Sequence, residues 1–425
     1  MDEEPGAAPP EIRPPGLLAR LRPHLLDVEP LRRSPDLRRL VLAQTVSELG
    51  SQATLVAIPF QVYAITRSTV AVGLVALAEF VPNLLLAPLG GAIADTTDRR
   101  RVTLAANGLF ALLSLGLVAN ALLDEPLLWP LYAFATLAGA VFALSVASAR
   151  AWPARLVPAE LLPAAFAVEG ASYNANALVG PAAAGALIGT AGVEAAYALD
   201  VATFLLALAL VAGMAHSRPE RRPEGLASIR EGFRIVRSSP VVATILGLDF
   251  TAMFLGMPIA LLPALADELG AGPAALGLLY AAPAAGGLVA AALSGAVSRA
   301  PRPGRGVLIA LGGWSAGIVL AGLADATWLA WLGLAIAGAG NNVSALLGGA
   351  ITQAAVKDEV RGRLAAVDHL VSSAGPALGD LEAGVVAAWI GVGPTIVLGG
   401  VLAFVGVAVL GAVGRALRTV TLRPR

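Results

Sequence analysis

Eight carboxyl groups interrupt otherwise apolar stretches of this chain, and by type and setting they are the residues best suited to carry out chemistry. They are Glu48, Glu79, Glu169, Asp200, Asp249, Asp368, Asp380 and Glu382. No lysine or arginine lies in the same stretches, so none of these carboxyls has an obvious cationic partner. A carboxyl buried without such a partner can take up a proton near neutral pH and release it elsewhere. The pattern therefore predicts proton binding and release.

Position along the apolar stretches ranks these carboxyls. Glu48 lies about 12 Å inside its stretch, at about 1.5 Å of rise per helical residue. Asp249 lies about a third of the way along its stretch and Glu79 near the middle of its own, whereas Asp200 lies toward an outer end and Glu169 toward an inner end. We expect proton coupling at Glu48, Asp249 and Glu79, in that order. The alternative for each is a hydrogen bond to a neighbouring helix or a place at a water-filled mouth.

Uncharged polar side chains in the apolar stretches mark a candidate cavity. The main candidates are Gln44, Gln61, Tyr173, Asn174 and Asn341. For any single one of them, a hydrogen bond between helices is the commoner role. A cavity with carboxyls and no basic side chain suits neutral or cationic amphiphiles better than phosphorylated compounds. An anionic ligand would need helix dipoles, aromatic stacking or protonation to bind there.

Composition argues against several other kinds of chemistry. The chain has no cysteine, which excludes disulfides, thiol catalysis and cysteine metal sites. Its histidines, His24, His216 and His369, lie far apart and form no HExxH pattern, so we expect neither a metal nor a cofactor. The chain lacks the GxxxxGKS or GxxxxGKT sequence that would indicate an ATP-driven pump. It also lacks a nucleophile–base pair that would indicate a membrane enzyme. A net charge of zero argues against a nucleic-acid partner.

Twelve apolar stretches must position these residues. Of the 425 residues, 57% are hydrophobic and only 14% are charged, and a helix that crosses a bilayer needs about 20 mainly apolar residues. The chain is therefore predicted to be an all-α integral membrane protein with twelve transmembrane helices. The predicted spans are 40–62, 69–93, 102–123, 127–148, 164–189, 195–215, 241–265, 273–297, 306–324, 327–352, 364–389 and 394–414.

Basic residues between the spans predict the orientation. With the N-terminus placed inside, 28 of the 29 lysines and arginines fall on that side, and only Arg67 falls on the other. The side richer in basic residues is normally cytoplasmic. We expect a multi-pass protein of the cell (inner) membrane with both termini in the cytoplasm. Residues 1–38 lack an apolar core and are expected to form a cytoplasmic tail rather than a signal peptide.

The chain repeats itself at an offset of 204 residues. At that offset Gly73 meets Gly277 and Pro59 meets Pro263, on spans that correspond in order. Six spans separate the two copies, so the repeats run parallel. The predicted organisation is an N-terminal tail (1–38), a six-helix bundle (39–216), a linker (217–239), a second six-helix bundle (240–415) and a C-terminal tail (416–425).

The loop between the second and third spans carries the sharpest motif, which runs from Gly91 through Asp95 and Asp98 to Arg101 and reads GAIADTTDRRR. It resembles the major facilitator superfamily motif GxLADRxGRR, with Thr96 in place of the usual Arg and Asp98 in place of the usual Gly. The Asp-Arg-Arg ending is similar to the drug:proton antiporter-3 branch, which includes macrolide efflux proteins and enterobactin exporters. Segments SELG (47–50), STVAVGL (68–74) and GLLY (277–280) resemble the same branch.

Each part of the motif also has a physical reading. Gly91 would let two helices approach closely, and Asp95 could accept hydrogen bonds from a facing helix N-terminus. Arg99 and Arg100 would anchor the loop inside. The resemblance implies that the loop latches one conformation of a transporter, and the alternative is a simple positive-inside anchor.

Gly180-Pro181 in the fifth span resembles the antiporter motif of these transporters, and Gly375-Pro376 repeats it in the eleventh. Proline removes a hydrogen bond within the helix and bends it, while glycine permits close packing. The alternative is a structural kink with no part in coupling.

The resemblance covers residues 30–415 and implies the major facilitator fold, with two parallel six-helix repeats. It implies a secondary transporter that exports small molecules by alternating access and works as a monomer. Protons, a small-molecule substrate and the lipid bilayer would be its partners. Proton-coupled efflux of a siderophore-like compound is the first expectation, and broad-specificity, macrolide-like drug efflux is the alternative.

Overall fold

The computed structural model of the chain describes residues 27–215, 234, 236–256, 259–356 and 361–420, and within these ranges the regular secondary structure is helical. The main helices are α1 (Pro35–Thr66), α2 (Thr69–Thr96), α3 (Arg99–Ala121), α4 (Trp129–Ala151), α5 (Leu162–Ala212), α6 (Pro240–Gly256), the seven-residue α7 (Leu262–Glu268), α8 (Pro273–Ala292), α9 (Pro303–Gly322), α10 (Thr327–Ala355), α11 (Arg361–Ile390) and α12 (Val392–Val413). Short helices at Glu29–Arg33, Ser294–Val297 and Arg415–Thr419 flank them.

Local capping decides where the first helices begin. Ser34 and Ser68 each cap a helix by accepting a hydrogen bond from the main-chain N–H three residues on, at the start of α1 and α2. Asp98 does the same for α3 by accepting from the N–H of Arg100. These side chains satisfy N–H groups that the first turn leaves unpaired. Because Ser34 caps α1 and Pro35 opens it, the predicted boundary at residue 38 lies inside this helix.

Helix α5 contains both the fifth and the sixth predicted spans. It has 51 residues, or about 76 Å at about 1.5 Å per residue, more than twice the roughly 30 Å hydrocarbon core of a bilayer. The helical backbone is interrupted at Gly192, where φ is +81°. This left-handed conformation carries a steric cost for any residue with a Cβ. Two spans therefore meet at Gly192.

Nine helical stretches in the described part of the chain are long and apolar enough to cross a membrane, with α6 and α7 counted together. The all-helical membrane fold predicted from the sequence is thereby confirmed. Two long helices, α1 and α11, lie outside this set of nine, and both carry several polar residues. Counting these two, and counting α5 twice, gives the predicted number of twelve.

The seventh predicted span is not one continuous helix. α6 is described as far as Gly256, and residues 257–258 lie outside the described part of the chain. A 3₁₀ turn at Ile259–Leu261, which we call the break in the seventh span, then leads into α7 at Leu262. Pro263 stands in the first turn of α7, where its missing N–H is tolerated.

The helices form two halves, α1–α5 and α6–α12. In the first half α1 packs along α5 and α2 along α4, while in the second half α9 packs on α10 and α12, and α6 packs on α11 and α12. The halves meet mainly through α2 with α11 and through α5 with α8. The predicted linker (217–239) lies largely outside the described residues, as does most of the predicted N-terminal tail. Arg415–Thr419 spans the predicted boundary at residue 415.

Contacts between the halves concentrate toward one end of the bundle. We call this end, where α1 ends at Arg67 and α7 ends near Asp267, the Arg67 end; the opposite end, where α3 begins, is the Arg99 end. Gly185 of α5 and Gly277 of α8 pack so closely that a Cβ on Gly185 would lie 2.7 Å from the Cα of Gly277. The side chains of Arg67 and Asp267 form an ion pair of 2.9 Å between the halves.

Candidate functional site

A cavity of about 340 Å³ lies among the helices of the first half. Four carboxyl groups line it, and no described residue in its wall is basic. They are Glu48 of α1, Glu79 of α2, Asp200 of α5 and Asp380 of α11. In the described residues no group of three or more His, Cys, Asp or Glu side chains has an arrangement suited to a metal ion.

Asp200 is the most deeply placed of these carboxyls. Thr54 Oγ1 donates a 2.8 Å hydrogen bond to its Oδ2, and Ser114 Oγ donates a second one of 2.6 Å to the same atom. Asp200 is only 1% exposed, and its Oδ1 has no hydrogen-bond partner among the described residues. The two hydroxyl donors, one from α1 and one from α3, hold Oδ2 in place.

Gly50 makes room for this arrangement. A Cβ at Gly50 would collide with Thr203 Oγ1 and lie 2.7 Å from Asp200 Oδ1. The absence of a side chain at this position lets α1 approach α5 closely enough for Thr54 to reach Asp200. The α1–α5 contact thus sets the geometry of the carboxyl.

Glu48 and Glu79 are the more open carboxyls of the cavity. Gln52 Nε2 donates a 2.9 Å hydrogen bond to Glu48 Oε1, one helical turn away on α1. The charge of Glu48 also acts on the hydroxyl of Tyr173 across from it on α5. Glu79 is exposed to the cavity and accepts no hydrogen bond from a described residue. Neither is held by two hydroxyl donors as Asp200 is.

Aromatic rings form much of the remaining wall. Phe110 and Phe204 stack with their centroids 5.0 Å apart and an angle of 10° between the rings. Phe134 and Phe142 of α4 also line the cavity. Aromatic faces stack on planar apolar groups and attract cations through their quadrupoles. Rings and carboxylates together suit an aromatic or cationic molecule.

The second half contributes three residues to the cavity wall, two from the break in the seventh span and one from α11. They are Ile259, Ala260 and Asp380. The main-chain N–H of Ala260 donates a 3.0 Å hydrogen bond to Asp380 Oδ1. Asp380 is 7% exposed and so faces the cavity while bound to the turn.

Two predicted carboxyls lie outside this cavity. Asp249 is half-buried in α6 of the second half, where Asp368 lies within electrostatic range. Glu169 is half-buried on α5, and its Oε1 is buried without a partner among the described residues. The structure therefore brings Glu48, Glu79 and Asp200 together and leaves Asp249 and Glu169 apart from them.

None of the five uncharged candidates lines the cavity: Gln44, Gln61, Tyr173, Asn174 and Asn341. Gln61 is buried and accepts a 2.8 Å hydrogen bond from the hydroxyl of Tyr197, which joins α1 to α5. Asn174 donates to the carbonyl of Gly170 on its own helix. Gln44 and Asn341 are half-buried, and Tyr173 is exposed. For Gln61 the contact is the helix-to-helix hydrogen bond given above as the alternative.

The motif between α2 and α3 differs in detail from the sequence prediction. The prediction of a close helix approach at Gly91 is wrong for this conformation, because no neighbouring atom lies within 4 Å of a Cβ built there. Its neighbour Gly90 makes that approach instead, against the main chain of Ala143 on α4. Asp95 accepts no hydrogen bond from a helix N-terminus in the described residues, and its charge acts on Arg99.

The arginines of this motif join α3 to the end of α5. Arg100 donates to the carbonyls of Val211 and Ala212, at 3.3 Å and 2.5 Å. These carbonyls are among those that a helix C-terminus leaves unpaired, and a cation is favoured there. Arg99 is only 7% exposed, and its Nε and Nη1 have no partner among the described residues. Arg100 therefore ties the loop to the end of α5.

Gly180 and Pro181 serve helix packing. A Cβ on Gly180 would lie 2.5 Å from the Cβ of Gln52 on α1, while the carbonyl of Pro181 faces Gly277 across the boundary between the halves. α5 stays helical through Pro181 and breaks only at Gly192. The close approach expected of Gly180 is present.

Several site residues were not predicted from the sequence. Thr54 and Ser114 are polar residues within apolar stretches, and the criterion that selected Gln44 could have found them. Asp380 was noted as an intramembrane carboxyl but not selected as a site residue. The four phenylalanines carry no such signal, because aromatic residues in a membrane span face lipid, core or cavity alike.

A family model described as transmembrane secretion effector matches residues 27–419 of the chain. Among characterised proteins, the enterobactin exporter EntS of Escherichia coli O81 (strain ED1a) is 31% identical over 357 residues, which cover 84% of this chain and 86% of that protein. The enterobactin exporter EntS of Escherichia coli O1:K1 / APEC matches to the same extent.

Solved structures with the same fold are transporters. A bacterial homologue of the human lysosomal transporter Spinster, in an inward-facing and unoccupied conformation, superposes with a TM-score of 0.74 at 16% identity and covers 92% of this chain and 98% of that one. A bacterial homologue of the iron transporter ferroportin in an inward-facing state gives a TM-score of 0.67 at 16% identity, with 91% and 99% covered.

Proposed function

Because the chain belongs to the transmembrane secretion effector family of the major facilitator superfamily, we propose that it is a proton-coupled exporter of small amphiphilic compounds that bind in neutral or cationic form. The observation that carries this proposal is the cavity lined by four carboxyls and four phenylalanine rings, with no basic residue among its described lining residues. The family supplies the transporter class, and the cavity supplies the chemistry.

Alternating access is the mechanism we propose. The closest contacts between the halves lie toward the Arg67 end, and two of the matching structures are inward-facing. In our proposal the Arg67 end faces outward and both termini face the cytoplasm, in keeping with the bias of basic residues. The substrate enters the cavity from the cytoplasm and leaves when the halves part at the Arg67 end.

In our proposal, protons and the substrate compete for the same carboxylates, and this competition couples export to proton entry. Glu48 and Glu79, open to the cavity, pick up protons when the cavity faces the acidic outer side. A neutral or cationic substrate that binds from the cytoplasm stabilises the ionised carboxylates, and the protons leave to the cytoplasm. Asp200 is a third acceptor, poised by Thr54 and Ser114. Asp249 and Glu169 remain candidates from the sequence, and the same assay tests them.

A siderophore-like compound is the first substrate candidate, since the relatives are named enterobactin exporters. It would bind with its acidic groups protonated and its rings against the phenylalanines. Broad drug efflux is the second candidate, and the carboxyl-rich wall favours it because a cationic drug would bind there directly.

The experiment is uptake into inverted membrane vesicles with an imposed pH gradient. Enterobactin, the aromatic cation ethidium and the macrolide erythromycin serve as separate probes. The proposal predicts gradient-driven uptake of at least one probe by the parent chain and its loss in the double variant Glu48→Gln/Glu79→Gln. Glu382→Gln is the matched control, because this carboxyl lies in a separate apolar crevice between α6, α11 and α12.

Each result decides a separate part of the proposal. Uptake that ignores the gradient would contradict proton coupling, and uptake that survives in the double variant would remove Glu48 and Glu79 as carriers. Uptake of enterobactin alone selects the siderophore reading, whereas uptake of ethidium and erythromycin selects drug efflux.

A further inference from the structure

The break in the seventh span lacks a helix cap from its own sequence. Helix α7 begins after Leu261, and no side chain near it in sequence accepts a hydrogen bond from its first N–H groups. The first turn of a helix leaves such groups unpaired, and burying them without partners is costly. The 3₁₀ turn that leads into α7 instead has an acceptor from another helix: Asp380 of α11 accepts from the N–H of Ala260 at 3.0 Å, two residues before α7 begins.

The capped turn is also the part of the second half that the cavity touches. Ile259, Ala260 and Asp380 line the cavity, and all its other described lining residues belong to the first half. The hydroxyl of Tyr280 on α8 contacts the carbonyl of Ile259 at 3.4 Å and supports the turn from the other side. A ligand in the cavity thus meets the second half at this hydrogen-bonded turn.

Asp380 lies in the contact that closes the halves. A side chain at Gly73 of α2 would strike the main chain of Asp380, with its Cβ 2.5 Å from the carbonyl oxygen. One turn further along α11, Thr69 Oγ1 donates a 2.7 Å hydrogen bond to the carbonyl of Gly384. The residue that caps the break is therefore part of the α2–α11 seam.

Helix α7 connects the capped turn to the outer ion pair. It runs for seven residues from Leu262 to Glu268, about 10 Å at about 1.5 Å per residue. Its start is held by Asp380, and near its end Asp267 pairs with Arg67 of the first half. One short rigid element thus joins the cavity wall to the contact at the Arg67 end.

We propose that Asp380 is a positioning residue that holds the break of the seventh span against the cavity and thereby keeps the Arg67 end closed. Loss of this cap frees the turn at Ile259 and Ala260 from the α2–α11 seam, which loosens the seam itself, and α7 also no longer presents Asp267 to Arg67. A ligand that competes for the Asp380 carboxylate from within the cavity would open the same end. The inference rests on the proposed alternating access, and it names the element that gates it.

The test uses a reporter cysteine, which is simple here because the chain has no cysteine of its own. Val72 is 2% exposed and lines the cavity one turn from Thr69, so a membrane-impermeant maleimide reaches a Val72→Cys reporter from the Arg67 end only when the seam opens. The full-length chain is labelled in intact cells and in inverted vesicles, so that each membrane side is read separately.

Three variants are compared on this reporter. Asp380→Ala removes the acceptor, and we expect labelling from the Arg67 side to rise about tenfold, as loss of a hydrogen bond to a charged group implies. Asp380→Asn keeps an oxygen that accepts from Ala260, so its labelling stays near the parent value. Glu382→Gln, two residues along the same helix, leaves labelling unchanged.

The outcomes separate this inference from the proposed function. Unchanged labelling in Asp380→Ala would overturn the inference, and so would equal opening by Asp380→Asn, since the charge rather than the cap would then hold the seam. A variant that unfolds is recognised by its thermal melt, and Asp380→Val, which keeps the volume of the side chain without an acceptor, then replaces Asp380→Ala with the same expected rise in labelling. No probe is transported in this assay, so failure of every transport test would leave the labelling result standing.

Discussion

The two halves of the molecule repeat one another in sequence but differ in what they hold. In the first half, Asp200 is bound by Thr54 and Ser114 beside a cavity of about 340 Å³. In the second half, the crevice beside Glu382 holds only about 10 Å³. At the repeat offset, Gly50 of α1 corresponds to Phe254 of α6. A missing side chain opens the polar site in one half, and a ring fills the equivalent place in the other.

The proline shared by the two repeats shows a second difference. Pro59 lies inside the continuous helix α1, whereas its counterpart Pro263 stands in the first turn of α7, after a break. The break persists because Asp380 supplies an acceptor from α11. In our proposal the first half therefore provides the binding chemistry and the second half the movable element.

The largest effect is expected at Asp200. Asp200→Ala removes a proton acceptor and leaves two buried hydroxyls without their partner, each at a cost of about 1–3 kcal/mol. Probe uptake into inverted vesicles should fall about a hundredfold or more. Probe uptake by the matched variant in the other half, Asp249→Ala, should fall far less. An equal fall for Asp249→Ala would show that both halves carry protons and would break the division.

A stability effect should follow at the glycines of the two repeated Gly-Pro pairs. A Cβ on Gly180 would lie 2.5 Å from the Cβ of Gln52, and one on Gly375 would lie 2.9 Å from the Cβ of Met253. Overpacking of this kind costs about 1–3 kcal/mol. Gly180→Ala should therefore lower the Tm of the purified protein more than Gly375→Ala does. The reverse order would show that the first half is the looser one.

A moderate effect is expected from the stacked phenylalanines. Phe110 and Phe204 line the cavity, whereas the stacked pair Phe250 and Phe254, with centroids 5.7 Å apart, lies in the second half. Loss of an aromatic contact costs about 0.5–1.5 kcal/mol, so Phe110→Ala should raise the KM for ethidium about two- to tenfold. Phe250→Ala should leave KM unchanged. A shift in both would place the substrate between the halves rather than within the first.

The smallest effect is expected at the ion pair between the halves. Arg67 and Asp267 are 65% and 55% exposed, and such pairs contribute about 1 kcal/mol at most. Arg67→Gln should raise labelling of the Val72→Cys reporter from the Arg67 side by less than about fivefold. Arg33→Gln breaks a pair with Glu29 within a single helix and serves as control. If both variants have the same effect, the Arg67 pair is not a latch.

Much of the fold could be predicted from the sequence, because apolar length and the position of basic residues act locally. Gly192 divides a single long helix at the place where the sequence predicted two spans, and Gly391, with φ of +89°, ends the eleventh span at the predicted turn. The chain position of each carboxyl was equally visible. Its helical face and its neighbours on other helices were not.

Only part of the candidate site could therefore be predicted from the sequence. Glu48 and Glu79 were predicted and do line the cavity. Asp200 was predicted as a candidate but its hydrogen bonds were not, because Thr54 and Ser114 come from two other helices. The role of Asp380 depends on a helix break more than a hundred residues away in the chain. Contacts between distant segments carry no signal in a single sequence.

Proton release on substrate binding is the most direct test of proton coupling through Glu48 and Glu79. Purified protein in weakly buffered detergent is mixed with ethidium or enterobactin, and the pH is recorded with a dye. We expect the parent chain to release protons on binding. The double variant Glu48→Gln/Glu79→Gln should still bind, but it should release far fewer protons. Binding without proton release, or equal release from the parent and the variant, would contradict the account.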